Sequence, residues 1–263
     1  MIFASLLVSF SATAKTLLEG NFTQGGLVFG NTDAGNTVTL DGNPLGLTAD
    51  GRFLIGFGRD ARKKAELVIT SPDGNIDRRT LDIAPRTYKV QRIDGLPSRK
   101  VTPNPKDIAR IKADNAGIGR VRALDTREAF FASGFIWPVT GPISGVFGSQ
   151  RILNGTPKNP HNGTDIAASE GTLIVAPADG MVVLVHDDMF YTGKTMMLDH
   201  GLGLTSVYAH MSAMLVKQGA LVKKGDAIGK IGKTGRVTGA HLHWGVTLNH
   251  THLDPALLVG EMH

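Results

Sequence analysis

The chain has 263 residues, 41% of them hydrophobic and 6% aromatic, with a formal net charge of +5 and no cysteine. That length accommodates two ordinary domains, and a mean hydropathy of −0.01 is normal for a soluble globular protein. The charge gives a mild attraction to polyanions, but no Arg/Lys-rich block or nucleic-acid motif accompanies it, so no nucleic-acid partner is expected.

Residues 1–14 are apolar, uncharged and close on Ala12-Thr13-Ala14. This pattern predicts a signal peptide, shortened at its start because the positive n-region is missing, and hence export across the inner membrane to the periplasm or cell envelope. No other stretch approaches the ~20 apolar residues of a membrane span, so no stable membrane insertion is expected.

Residues 15–90 predict a small β domain. Thr37–Leu40, Phe53–Phe57, Ala65–Thr70 and Arg79–Ile83 read as short strands. Asp41-Gly42, Asp50-Gly51 and Pro72-Asp73-Gly74 supply the turns. No catalytic constellation lies in this segment, so a binding or spacer role is its default.

Residues 91–135 predict a linker with a helix. Asn104 is positioned as N-cap and Pro105 as the first helical residue. Ile108, Ile111, Ile118 and Val121 fall on one side, while Gly117 and Gly119 weaken the middle. Thr126–Phe131 extends or restarts the helix.

Residues 136–263 are dominated by glycine-bounded apolar runs such as Gly180–His186, Leu204–His210 and His241–Thr247. Helical periodicity is almost absent, which predicts an antiparallel β-sheet domain with long functional loops.

This last segment holds the chemistry. With no cysteine, a zinc site has to be built from histidine and carboxylate. His161 and Asp165 are four apart, and His241 and His243 two apart. On a strand each spacing puts the pair on one face, with Leu242 and Trp244 turned the other way into the core. Three protein ligands and an open position make a catalytic site, and a hydrolase also needs a base and an oxyanion donor. The histidines exceed what three ligands require, so the spacing alone leaves the ligand assignment open between them, with His210 and His241 able to fill the two remaining roles.

The ordered motifs His161-x-Gly163-x-Asp165, Tyr208-Ala209-His210 and His241-Leu242-His243-Trp244 resemble the lysostaphin/LytM family of zinc peptidoglycan endopeptidases. Flanking Phe147–Arg151, Val222–Asp226, Ile231–Gly235, Asp199-His200-Gly201 and Asp254-Pro255 fit the same resemblance, which covers about half the chain. It implies a duplicated hybrid motif fold, antiparallel and barrel-like, with one zinc ion per chain bound by His161, Asp165 and His243. His210 and His241 are then the catalytic pair, as base and oxyanion stabiliser. Tyr208, sharing a face with His210 by strand alternation, is either a supporting residue or a packing aromatic. The implied substrates are peptides of peptidoglycan, cut in cross-links or stems, with the D-alanyl–diaminopimelate cross-link preferred.

The rival reading is a non-catalytic regulator on the same fold that binds peptidoglycan and activates other wall hydrolases. Such a protein should have lost at least one of these five residues, and all are present. A sugar- or peptide-binding module led by the N-terminal domain is a third reading, weakened by the lack of an aromatic platform there. The remaining histidines read as bland: His200 as structural, and His250 and His252 as part of a polar loop. Gly163 is expected to let the backbone turn between two ligands. The linker's place before the last domain raises one further expectation, that Asn104 or Asp107 reaches the open metal position and keeps the enzyme latent.

Overall fold

The computed structural model describes residues 16–262, so the predicted signal peptide at 1–14 lies outside the described residues. The first region contains β1 (Leu17–Gly20), β2 (Leu27–Asn31), β3 (Thr37–Leu40), β4 (Asn43–Pro44), β5 (Arg52–Gly56), β6 (Lys64–Thr70) and β7 (Ile76–Asp82). They form a three-stranded sheet, β1-β2-β5, and a four-stranded sheet, β4-β3-β6-β7, both antiparallel. Alternation explains β6: Ala65, Leu67 and Ile69 are buried, while Lys64 and Glu66 face out. These side chains close a core with Val28, Val38, Phe53 and Ile55. Asp41 and Gly42 both take positive φ, at 48° and 77°, giving the tight turn from β3 to β4. The sequence patterns anticipated β3, β5, β6 and β7; β1, β2 and β4 are additions.

The linker holds β8 (Val90–Ile93), α1 (Ser98–Val101) and α2 (Pro105–Arg122). Asn104 caps α2 in a capping box: its side chain accepts from the Asp107 amide at 2.9 Å, and Asp107 Oδ2 accepts from the Asn104 amide. The helix runs through Gly117 and Gly119 because Ile118 and Val121 pack against Leu184, Met189 and Met197. Ile108 departs from the expected stripe and is exposed. Residues 126–131 do not continue the helix; a 3₁₀ turn at Phe130–Ser133 follows instead.

The last region contains β9 (Ile143–Gly145), β10 (Gln150–Leu153), β11 (Thr156–Pro157), β12 (Thr164–Ala167), β13 (Leu173–Val175), β14 (Gly180–Met189), β15 (Gly193–Asp199), β16 (Leu204–Met214), β17 (Leu221–Val222), β18 (Ala227–Ile231), β19 (His241–Leu248) and β20 (Thr251–Leu253). Ten of them form one antiparallel sheet whose main path is β17-β14-β15-β16-β19-β12-β9. Its central strands are long and apolar because the sheet carries a core of Leu, Ile, Val and Met around Trp244, Tyr208 and Leu242, and a second, smaller cluster packs under α2. The described fold is mainly β. One pairing crosses from linker to sheet domain: β8 runs parallel to β10, with Gln91 beside Arg151.

Candidate metal centre

The site forms where β12, β19 and β16 lie side by side. Asp165 on β12 sits directly opposite His243 on β19, and His243 is opposite Ala209 on β16. Asp165 and His243 therefore share one face, while Leu242 and Trp244, both fully buried, point into the core. His161 reaches the same point by another route. It lies in the loop before β12, so strand alternation does not orient it as the spacing argument assumed. Backbone bonds hold that loop: the His161 amide donates to the Ser149 carbonyl and the Gly148 amide to the His161 carbonyl.

Three atoms converge. His161 Nε2 is 3.0 Å from Asp165 Oδ1 and 3.0 Å from His243 Nδ1, and His243 Nδ1 is 2.8 Å from Asp165 Oδ1. Among the described residues these three side chains form the one group able to hold a metal ion. The donor set fits. His161 Nδ1 donates to the Val146 carbonyl at 3.2 Å, which leaves the Nε2 lone pair aimed at the cluster. Zinc held at roughly 2.0–2.1 Å by nitrogen and oxygen needs neighbouring ligand atoms ~3.3 Å apart, a few tenths more than is seen here.

Burial tunes the group for this use. Desolvation drives the His161 pKa down to about 4, outweighing the Asp165 carboxylate that pulls it up. Asp165 is also desolvated, which alone raises its pKa; the hydrogen bonds and charges of His161 and His243 prevail and hold it well below the ordinary value. Neutral imidazole and ionised carboxylate are the forms that bind a cation. Asp165 Oδ2 takes a further bond from Arg151 Nη2 at 3.0 Å, and Arg151 Nε in turn reaches Gln91 Oε1 of the linker at 3.4 Å. Arg151 belongs to a segment that the family resemblance flagged, but its contact with the carboxylate could not be read there.

Two glycines make room for the cluster. A Cβ on Gly145, opposite Asp165 across β9 and β12, would collide with the Asp165 carboxylate. One on Gly163 would lie 2.8 Å from His243 Cε1 and against the Trp244 carbonyl. Gly163 thus serves by its small volume; its φ is not positive, so the expected turn is not the reason.

His210 and His241 flank the trio, their rings 4.8 Å apart, and His241 Nε2 is 3.9 Å from Asp165 Oδ1. His210 Nδ1 donates to the Thr234 carbonyl at 2.8 Å and His241 Nδ1 to the Gly239 carbonyl at 2.9 Å. Each ring therefore presents a bare Nε2. Burial, helped by His241 and His243, lowers the His210 pKa to about 3 and keeps it neutral.

His210 owes its direction to a break in the strand. Its φ is +65°, and the β15–β16 register slips between the Met196–Tyr208 and Lys194–Met211 pairs. One extra residue on β16 is a bulge, which re-aims a side chain. Tyr208 and His210 consequently part company. Tyr208 is fully buried opposite Trp244, its hydroxyl 2.7 Å from Ser206 Oγ, and acts as a packing aromatic. His200 extends that buried chain, with Nδ1 on the Asp179 carbonyl and Nε2 on Ser206 Oγ. His250 is exposed, but His252 is on β20, not in a loop, and lines the cleft.

The site opens into a cleft of about 800 Å³ bounded by α2 on one side and by Tyr191, Thr192 and Arg236 on another. Asn104 and Asp107 do not line it. Asn104 caps α2, and buried Asp107 is paired with Arg99 Nε at 2.7 Å. Neither carboxamide nor carboxylate is free to reach the metal position, which overturns the expectation of latency through these two residues.

Two imidazole nitrogens and one carboxylate oxygen meet at a point, with two more imidazoles alongside and open space in front, an arrangement that could hold a metal ion with one position open. Residues 159–255 match Peptidase family M23. The match falls on the segment whose motifs resemble the lysostaphin/LytM family. Over 103 residues the chain is 42% identical to the peptidoglycan DD-endopeptidase ShyA of Vibrio cholerae, covering 39% of this chain and 24% of the relative. Over 95 residues it is 40% identical to the DD-carboxypeptidase/endopeptidase Mpg of Neisseria meningitidis, covering 36% and 22%. The chain spans only 20–26% of the length of the first curated relatives it matches. A crystal structure of a candidate M23 peptidase from Pseudomonas aeruginosa aligns with a TM-score of 0.68 at 27% identity, over 90% of this chain and 94% of that one.

Proposed function

We propose that this protein is a zinc metalloendopeptidase that hydrolyses peptide bonds in peptidoglycan cross-links or stem peptides, working in the periplasm or cell envelope where that polymer lies. The observation that carries the reading is the complete set of five side chains: His161, Asp165 and His243 as ligands, His210 and His241 as the catalytic pair. The non-catalytic alternative needs a lost ligand, and none is lost.

Bound zinc would supply Lewis acidity at the scissile carbonyl and lower the pKa of water to roughly 7. The protein's part follows from tautomers. Carbonyls of Thr234 and Gly239 hold the Nδ1 protons of His210 and His241, so each Nε2 can accept a proton from the attacking water. Once protonated, the same Nε2 becomes a donor to the developing oxyanion or the leaving amine. The carboxylate of Asp165, fixed by Arg151, supplies the one negative charge among the ligands.

Digestion of purified sacculi with the zinc-loaded chain, with mass analysis of the released muropeptides, tests this directly. Cross-linked dimers should give way to monomers, and a chelator should stop the reaction until zinc is restored. Sacculi left intact by a chain that holds stoichiometric zinc would refute the proposal.

A further inference from the structure

One wall of the cleft comes from outside the M23-matched segment. Ile111, Asp114, Asn115, Ile118 and Arg122 recur at helical spacing, so a single face of α2 lines the space in front of His210 and His243. That space is cationic: Arg122, Arg151, Lys158 and Arg236 line it against the one acid Asp114. Most of this charge is accounted for. Arg151 is paired with Asp165, and Asp114 accepts from the Phe190 amide. Arg236 stacks 4.4 Å over the Tyr191 ring and donates to the Lys100 carbonyl.

Arg122 has no such partner. Its Nε is buried without a hydrogen bond, and no ion pair to it exists among the described residues. Burial lowers its pKa, which records the cost of withdrawing a guanidinium from water unpaired. A cation in the last turn favours the helix dipole, yet exposed Arg120 supplies that without burial. Arg122 lines the same cleft as His252, whose pKa is lowered first by burial and then by the Arg122 charge.

We propose that Arg122, contributed by the linker helix, is a specificity residue of the cleft that binds a free carboxylate of the peptide substrate. The proposal rests on the peptidase reading above. A guanidinium fork matches a carboxylate with two parallel hydrogen bonds, and the low-dielectric wall strengthens the pair. Three carboxylates of such a peptide meet the chemistry: the C-terminus, the diaminopimelate side chain, and the α-carboxylate that a γ-linked D-Glu leaves free.

The probe is the stem peptide L-Ala-γ-D-Glu-meso-diaminopimelate-D-Ala, fluorescently labelled at its N-terminus, with three analogues, each amidated at one of the C-terminus, the diaminopimelate side chain or the D-Glu α-carboxyl. Binding is read by anisotropy on the metal-free full-length chain. The free acid should bind on the order of tenfold more tightly than one of the amides, and which amide loses affinity identifies the carboxylate. Arg122→Gln should erase that gap, Arg122→Lys should keep part of it, and Arg236→Gln should leave it in place. Equal binding of all four peptides by the wild type, a gap that survives Arg122→Gln in a folded protein, or a gap that vanishes in Arg236→Gln instead would each overturn the assignment. Melting curves establish that the variants are folded. A zinc-loaded chain that cleaves no peptide would defeat the peptidase reading, while the binding gap still decides the role of Arg122.

Discussion

The N-terminal β region and the C-terminal sheet region are both antiparallel and bury similar aliphatic side chains, yet they differ in what else they bury. In the first, the buried polar residues are three threonines, Thr16, Thr32 and Thr48. Each is satisfied locally: Thr16 and Thr32 share a hydrogen bond at 2.9 Å, and Thr48 accepts from the Arg52 amide. The second buries His161, Asp165, Asp199, His200, His210, His243 and Asp254. Burying ionisable groups costs far more than burying hydroxyls. Four of them, His161, Asp165, His210 and His243, are gathered at one site, where stability is spent on chemistry.

The most severe way to break this contrast is to remove a ligand. His161→Ala, Asp165→Ala and His243→Ala should each abolish metal binding and activity, read as zinc per chain by elemental analysis and as muropeptide release. Full zinc stoichiometry in His243→Ala would refute the assignment of that ligand. Next come the flanking imidazoles. His210→Ala or His241→Ala should keep the metal and lose activity by about 10²–10⁴-fold, the range for a positioned acid or base. Metal loss in either variant would move that residue into the ligand set.

A smaller effect sharpens the comparison at the join between regions. Arg151→Gln should weaken metal affinity about 10–100-fold, the usual scale for a group that orients a ligand. Gln91→Ala, one step further out on β8, should cost less. Competition against a fluorescent zinc chelator measures both. Equal losses for the two would mean that the β8–β10 pairing, not the Arg151–Asp165 contact, carries the effect.

Legibility followed the range of the interaction. Alternation in Ala65–Thr70 and the Asp-Gly turns expose β6 and its neighbours because strand period and turn chemistry are local. The Asn104-Pro105 start of α2 is equally local. His241-x-His243 was readable as one face because it lies within a strand. His161 was not, since a loop before β12 aims it. The bulge at His210 inserts one residue and cancels the alternation that grouped it with Tyr208; nothing in the residue types announces the extra step. The pairing of β8 with β10 and the entry of Arg122 into the cleft join segments far apart in sequence, and periodicity carries no information about either.

The finest test separates the two regions by pH in the metal-free protein. His161 and His252 have pKa values lowered to about 4 and His210 to about 3, each chiefly by burial, and His200 is lowered in the same direction by the same cause. In the unfolded chain all four titrate near 6.5. Between about pH 6.5 and pH 4 the unfolded state therefore binds more protons than the native one. Stability falls as pH falls through that window, and above it the four groups contribute no slope. Asp165 has the opposite origin, a carboxylate depressed below its ordinary value, so its loss begins only below roughly pH 4 and leaves the upper window clean. His252→Gln removes one of the four histidines without touching the ligand trio. Its urea midpoint should decline between pH 6.5 and 5 less steeply than that of the wild type. An unchanged slope would mean that His252 is already solvated in the native cleft, and that the burial seen along β20 does not persist in solution.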